Sequence, residues 1–154
     1  GIGTDSFPHN MLDELRMACY AGRIIGGSFT AAPTYYAFDA ATCVGADIIR
    51  RPDLGRLATG CKADFSVVDM KNHYMQPDYD PIRSIVYSAN DRAIMHVYVD
   101  GRQVVDHGKI MHFDVEEDIE MLRRGQQAVI ATASQRDWAG REMHELSPRV
   151  YKLK

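Results

Sequence analysis

At 154 residues, with 45% hydrophobic and 25% charged residues, the chain has the composition of a folded domain and not of a disordered segment. A net charge of −3 gives no electrostatic basis for binding nucleic acid or an anionic membrane surface. No apolar run reaches the roughly 18 residues of a membrane span, no signal peptide is visible, and the odd count of three cysteines argues against a disulfide framework. These features predict a cytoplasmic protein with no nucleic-acid or membrane partner.

The first predicted zone, residues 1–53, opens with the stretch GIGTD and continues as helices. Asn10 can cap a helix over MLDELRMACYAGRII, which Gly26 and Gly27 end. The apolar residues that fall near one face of this helix are Met11, Leu15, Ala18 and Ile25. A second helix is predicted in TYYAFDAATCVGADII, before Pro52. The opening GIGTD reads as a strand, but one strand cannot form a sheet alone, so we expect the chain to be the C-terminal portion of a larger protein.

The second zone, residues 54–114, changes to the period of β-strands. Strands are predicted in ADFSVVDM, SIVYSA, IMHVYVD, RQVVDHG and KIMHF. Asp100–Gly101 separates two alternating runs and predicts a hairpin, and His107–Gly108 marks a further turn. The third zone, residues 115–154, is predicted to hold a helix from Val115 to about Ala133 and then a polar arm or poorly ordered tail.

Three motifs follow one another along the chain: GIGTD before a helix, then GRLATGCKADFSVVDM, then VYVDGRQVVDHGKI. In this order they resemble the amidohydrolase superfamily of metal-dependent hydrolases, and GIGTD is similar to the end of the eighth barrel strand of that family. GRLATGCKADFSVVDM and VYVDGRQVVDHGKI are similar to two stretches that follow the barrel. TDSFPHNMLDELR and DPIRSIVYSAND are most similar to the branch that contains triazine hydrolases, guanine deaminase and related aminohydrolases. The resemblance covers residues 1 to about 120.

The resemblance implies an α/β fold built from the C-terminal end of a (β/α)8 barrel and part of a small β-sandwich. Residues 1–53 would supply the last barrel strand, Gly1–Asp5, and the closing helices, Met11–Ile25 and Thr34–Ile49. Residues 54–114 would form the C-terminal strands of the composite sandwich, and residues 115–154 a C-terminal helix and tail. This arrangement accounts for the isolated opening strand.

The resemblance also implies a chemical role for Asp5. Active-site residues of such barrels project from the C-terminal ends of the strands, and Asp5 directly follows I-G-T. A carboxylate there can bind a divalent metal, take a proton from the water that the metal activates, and pass it to a leaving amine or halide. Asp5 is therefore expected to be a metal ligand and proton shuttle, with zinc as the metal and iron as the alternative. The other interpretation is an aspartate that starts a turn or caps a helix.

Three neighbouring side chains are candidates for substrate binding: Ser6, His9 and Asn10, on the loop after Asp5. Asn10 also suits a helix N-cap, His9 could touch the substrate ring, and Ser6 could be only a solvated hydroxyl. The other histidines form no HxH or HExxH motif, so they are expected at the surface or in satisfied packing. They are His73, His96, His107, His112 and His144.

The function expected from the resemblance is hydrolytic removal of an amino, alkylamino or halide substituent from a nitrogen heterocycle. Because the chain offers one candidate metal ligand where a catalytic zinc uses three, it should not catalyse alone. The expected partners are the remainder of the hydrolase chain, a small N-heterocyclic substrate and further copies in a homo-oligomer. Two alternatives stay open: a non-catalytic truncated or split module that serves folding or assembly, and a cyclic-amide hydrolase of the same superfamily.

Overall fold

The computed structural model describes residues 1–151, which form two compact units, residues 1–111 and the segment from residue 112 onward. The helices of the first unit are α1 (Met11–Gly26), α2 (Thr34–Ala41), α3 (Cys43–Ile48) and α4 (Pro81–Ser88). Its strands are β1 (Phe65–Val68), β2 (Ile94–Val99), β3 (Arg102–Asp106) and β4 (Lys109–Ile110). The second unit holds α5 (Val115–Arg136) and α6 (Met143–Leu146). The mixed helix and strand content agrees with the α/β class expected from the sequence.

Helix α1 begins and ends where its sequence predicts. The Asn10 side chain accepts a hydrogen bond from the Leu12 amide at 3.1 Å, which satisfies one of the amides that a helix start leaves unpaired. Gly27 closes the helix in the left-handed conformation with φ 59°, a backbone state that glycine adopts without steric cost. Of the predicted apolar face, Leu15 is buried, whereas Ile25 is 87% exposed.

The second predicted helix is broken into two. Helices α2 and α3 meet at Thr42, whose φ of −120° and ψ of −104° lie outside the helical region. The Thr42 hydroxyl donates to the carbonyl of Phe38 at 2.8 Å. Such side-chain bonds to the preceding turn compete with the regular backbone ladder and bend helices. The prediction of one helix over Thr34–Ile49 is therefore wrong at its centre, although its start at Thr34 is correct.

The predicted strand SIVYSA is a helix in the structure, α4. Asp80 caps it by accepting from the Arg83 amide at 3.1 Å, and Pro81 occupies the first turn, where its missing N–H costs nothing. Ile82, Ile85 and Val86 recur at helical spacing, and Val86 is fully buried. The β-branched residues suggested a strand, but the cap and the packed face outweigh that preference.

The strands form one antiparallel sheet in the order β1-β2-β3-β4. Asp100 and Gly101 connect β2 to β3 with φ values of 51° and 77°, the pair of positive angles that a two-residue hairpin turn requires. The Asp100 turn is fastened by an ion pair with Lys62 at 2.8 Å. The hairpin prediction is confirmed, and apart from SIVYSA the predicted strands of this zone are present in shortened form.

The opening residues do not form a strand. Residues 1–5 have no assigned secondary structure, and the Ile2 amide instead donates to the Ala40 carbonyl at 3.1 Å. The Ile2 side chain packs against the helical core described below. The prediction of a strand over Gly1–Asp5 is therefore wrong for the structure, because the described residues place no neighbouring strand beside it and a strand needs one for its backbone hydrogen bonds.

Two small clusters form the hydrophobic core of the first unit. The helical cluster joins Leu15 and Cys19 of α1 with Ala37 of α2 and Val86 of α4. The second cluster consists of Met75, Ala89 and Ala93 and contacts Val68 of β1. Arg16 connects α1 to the end of α4, since its guanidinium donates to the Ala89 carbonyl at 2.8 Å. This packing holds the start of α1, and with it the loop that follows Asp5.

The exposed apolar surface leads to a prediction about the chain on its own. Large side chains around the end of α1 face solvent, with Ile24, Ile25 and Phe29 all more than 80% exposed. Contiguous apolar surface of this kind promotes association, so the purified 154-residue chain should be poorly stable and self-associate. Light scattering after gel filtration, over a range of concentrations, measures this. A monodisperse monomer with a cooperative melt would contradict the prediction.

The second unit extends the predicted C-terminal helix. Asp114 caps α5 through the amides of Glu116 and Glu117, as expected, but the helix continues to Arg136 and not only to Ala133. Asp137 then binds Arg141 through two hydrogen bonds of 3.0 and 2.8 Å, and this contact holds the pKa of Asp137 well below its usual value. The tail is thus more structured than predicted up to α6, and the prediction for residues 152–154 lies outside the described residues. The helices in residues 1–151 are too short or too polar to cross a bilayer.

Candidate functional site

Asp5 lies in a tight loop between the opening residues and α1. Its backbone has a φ of 52°, a left-handed conformation that is uncommon outside glycine and that aspartate tolerates better than most residues. The next amide, of Ser6, donates back to the Thr4 carbonyl, and the Asn10 amide donates to the Pro8 carbonyl at 2.6 Å. These two turns place Asp5 at the surface with its carboxylate exposed. Within residues 1–151, no hydrogen bond or ion pair engages that carboxylate, so its oxygens are available to a ligand.

Asn10 is the predicted site residue with the most contacts. Its side-chain oxygen caps α1, and its amide nitrogen donates to Asp91 at 3.2 Å. Both ends of the side chain therefore hold the loop, by tying it to the helix and to a single 3₁₀ turn at Asp91–Ala93. Sequence reasoning missed Asp91, and no local motif could have found it because the two residues are 81 positions apart. The N-cap interpretation of Asn10 is confirmed.

Ser6 and His9 lie on the same loop with exposed side chains. Among the residues that the structure describes, no hydrogen bond joins either side chain to Asp5. The structure therefore places Asp5, Ser6, His9 and Asn10 on one short segment, but no hydrogen bonds between side chains join them within the described residues. Their roles in substrate binding stay predictions.

A second group of polar side chains lies in the β-sheet, away from this loop in sequence. His96 of β2 and His107, in the turn after β3, each place Nδ1 at 2.9 Å from one oxygen of Asp106. The Gln103 amide nitrogen lies 3.0 Å from the same oxygen and 3.2 Å from His96 Nδ1. Partial burial raises the pKa of Asp106, but the hydrogen bonds from His107 and Gln103 outweigh it, so the pKa lies below its usual value. The sequence analysis did not predict this group. His96 and Asp106 lie on the two strands of the predicted hairpin, but the pairing of these strands was not predicted residue by residue.

Comparison with known proteins identifies the family of the chain. The sequence profile of the amidohydrolase family matches residues 1–104. This chain belongs to the amidohydrolase family. The family prediction from the three motifs is therefore confirmed.

The curated relatives of this amidohydrolase chain include several deaminases. It is 32% identical over 127 residues to a 5-methylthioadenosine/S-adenosylhomocysteine deaminase of Syntrophomonas wolfei, a match that covers 79% of this chain and 30% of the relative. It is 31% identical over 137 residues to a 5'-deoxyadenosine deaminase of Methanosarcina acetivorans, covering 86% of this chain and 32% of the relative. The chain thus spans about a third of the length of these curated relatives.

Solved structures that share its fold include a deaminase and a chlorohydrolase. An adenosine deaminase from Xanthomonas campestris with bound zinc superposes with a TM-score of 0.76 at 21% identity, over 79% of this chain and 28% of that protein. The atrazine chlorohydrolase TrzN from Arthrobacter aurescens TC1, complexed with zinc, superposes with a TM-score of 0.70 at 23% identity, over 75% of this chain and 26% of that protein. At these identities the similarity establishes the fold alone.

The loop after the opening residues can supply one of the several ligands that a divalent metal needs. The exposed, unpaired carboxylate of Asp5 is a donor of the kind that zinc accepts. Within residues 1–151, however, no group of three histidine, cysteine or carboxylate side chains includes Asp5. A catalytic zinc typically has three protein ligands. Asp5 can therefore supply one ligand of such a site but cannot form it without residues from elsewhere.

Proposed function

We propose that this chain is the C-terminal part of a metal-dependent amidohydrolase that removes an amino group from a nitrogen heterocycle by hydrolysis. The observation that carries the proposal is the free carboxylate of Asp5, held in a fixed loop in a chain whose family relatives are deaminases. Those relatives are named for adenosine derivatives, which favours the exocyclic amine of an adenine ring as the group removed.

The proposal assigns the segments to places in a larger fold. Residues 1–53 would contribute the last barrel strand and closing helices, residues 54–114 the C-terminal strands of a composite β-sandwich, and residues 115–154 the final helix and tail. Gly1–Asp5 would become a strand when strands from the remainder of the hydrolase chain lie beside it, since a strand needs such neighbours for its ladder of backbone hydrogen bonds. The hydrogen bond from the Ile2 amide to the Ala40 carbonyl already anchors this segment to α2.

In the proposed reaction Asp5 acts as a metal ligand and proton carrier. A bound divalent metal, zinc or iron, would activate water as the nucleophile. A carboxylate oxygen of Asp5 would accept a proton from the attacking water while the water oxygen bonds to the ring carbon. The same carboxyl oxygen would then give the proton to the departing nitrogen, and the carbon–nitrogen bond would break with release of ammonia. The hydroxyl of the consumed water would stay on the ring carbon, and its proton would leave in the ammonia.

The neighbouring residues would position the substrate and the loop. Asn10 fixes the loop through α1 and Asp91, so its effect on the reaction would pass through the position of Asp5. His9 is exposed on the same loop and is free to contact the heterocycle, and Ser6 could donate a hydrogen bond into the site.

His9→Ala tests the substrate-binding role in the complete enzyme. If His9 contacts the ring equally in the ground state and the transition state, its removal should raise KM more than it lowers kcat. Steady-state kinetics of the variant beside the parent protein measure this, with His73→Ala as the control because His73 is also exposed. An unchanged KM with a large loss of kcat would contradict the role in binding.

The function itself is tested on the longest polypeptide that carries this chain. Its intact mass shows whether a longer protein exists, and assays with zinc then measure ammonia release from adenosine derivatives and chloride release from a chlorotriazine. Ammonia release supports the proposal. Activity only toward a cyclic amide, or no hydrolysis by the zinc-loaded protein, would favour the cyclic-amide hydrolase or the non-catalytic module. The homo-oligomer and the cytoplasmic location stay predictions.

A further inference from the structure

The sheet gathers three side chains that are common metal ligands. His96, Asp106 and His107 each offer one ligand atom, and these atoms lie within 4.8 Å of one another. The bond lengths of zinc to imidazole nitrogen and carboxylate oxygen place the ligand atoms of a tetrahedral site roughly 3.4 Å apart. The observed contacts of 2.9 Å between Asp106 and the two imidazoles would need only small side-chain movements to admit an ion.

The backbone fixes where these groups meet. His96 and Asp106 are opposite each other in the register of β2 and β3. His107 and Gly108 have φ values of 45° and 74°, so they form the tight turn that leads into β4 and carries the His107 ring back toward β2. The His96 and His107 rings meet edge to face with their centroids 4.8 Å apart. His96 and Asp106 thus lie on paired strands, and His107 lies in the short turn that follows them.

The group has lone pairs that a cation can use. A neutral imidazole offers a lone pair at one ring nitrogen, and a carboxylate oxygen offers only lone pairs. When His96 Nδ1 carries a proton, it donates to the Asp106 oxygen at 2.9 Å; when it is unprotonated, its lone pair lies beside that oxygen. In the unprotonated form a cation can bind both atoms.

We propose that His96, Asp106 and His107 form a binding site for a divalent transition-metal ion on the β2–β3–β4 sheet. Two imidazoles and one carboxylate are a donor set that suits zinc, and nickel or copper would also be accepted. The site contains none of the residues of the loop after Asp5 and is separate from the proposed catalytic role. His107 is 68% exposed, so an ion can reach the site from solvent. An ion there would tie the β3–β4 turn to β2.

The experiment is a titration with Zn²⁺ alone of the longest polypeptide that carries this chain, followed by calorimetry and by nitrogen NMR of the histidine rings. Three variants accompany the parent chain. His107→Asn removes the imidazole while keeping a residue that tolerates the left-handed turn, and Asp106→Asn keeps the side-chain size. His73→Asn is the control, since it removes an exposed imidazole outside the group. Circular dichroism checks that each variant remains folded.

The expected result is one Zn²⁺ per chain at the sheet, seen as saturable shifts of the His96 and His107 rings. The affinity measured by these shifts should fall at least about tenfold in His107→Asn and Asp106→Asn and stay unchanged in His73→Asn. Absence of a saturable shift of the His96 ring, or equal affinity in His107→Asn and the parent protein, would overturn the proposal. Loss of binding in Asp5→Asn with retention in His107→Asn would place the ion at the loop and overturn it as well.

Discussion

Asp5→Asn is expected to nearly abolish turnover in the complete enzyme while leaving the fold intact. The amide has the same size as the carboxylate and can still offer one oxygen to a metal, but it cannot carry a proton from water to the leaving nitrogen. General acid–base assistance alone is worth about 10²–10⁴-fold in rate, and weaker activation of water adds to the loss. Because the Asp5 side chain is exposed and makes no hydrogen bond or ion pair within residues 1–151, the substitution removes no contact on which the described fold depends.

The measurement is kcat of the variant and the parent protein, with metal content determined on the same samples. Asp78→Asn is the matched control, since Asp78 is also an exposed aspartate but lies in another loop. The control should keep parental activity. Retention of more than about a tenth of parental kcat by Asp5→Asn at full metal occupancy would show that Asp5 is not the proton shuttle.

Leu15→Ala should cause the largest loss of stability among single substitutions in the helical core. Leu15 is 4% exposed and packs with Cys19, Ala37 and Val86, so it joins three helices. Truncation of a buried leucine costs about 2–5 kcal/mol, from lost burial and from the cavity left behind. The small size of the cluster leaves few neighbours to fill that space.

Amide hydrogen exchange of the backbone in α1 and α4 measures the loss locally, without requiring the whole chain to unfold as one unit. Ile25→Ala on the same helix is the control, because Ile25 is 87% exposed and its truncation should change protection by less than about 0.5 kcal/mol. Equal protection in Leu15→Ala and Ile25→Ala would mean that the helical cluster does not hold α1 and α4 together.

Several elements could be predicted because their signals are local. Asn10 and Asp114 cap helices through amides two or three residues away, and Gly27 ends α1 through its own backbone freedom. The Asp100–Gly101 turn likewise depends on the angles of two adjacent residues. A short motif singled out Asp5, and its catalytic role stays a prediction because no group of three candidate metal ligands within residues 1–151 includes it.

The predictions of secondary structure were wrong where local signals conflicted and tertiary contacts determined which conformation formed. The stretch SIVYSA carries residues common in strands, yet Val86 reaches the core only when the segment is helical. The run from Thr34 to Ile49 has helical composition throughout, but the Thr42 hydroxyl and the turn to α3 interrupt it. Gly1–Asp5 has the composition of a strand, but the described residues provide no neighbouring strand with which it could pair.

The amino-acid sequence alone determined the family of this chain, its mixed helix and strand content, the helix caps at Asn10 and Asp114 and the hairpin turn, because short-range hydrogen bonds and ordered motifs specify them. Only the tertiary structure decided that Asn10 meets Asp91 and that His96, Asp106 and His107 share one site. Such contacts depend on strand register and helix packing between residues far apart in the chain. A shift of one residue in the β2–β3 register would turn His96 away from Asp106, so no local pattern could have specified that site.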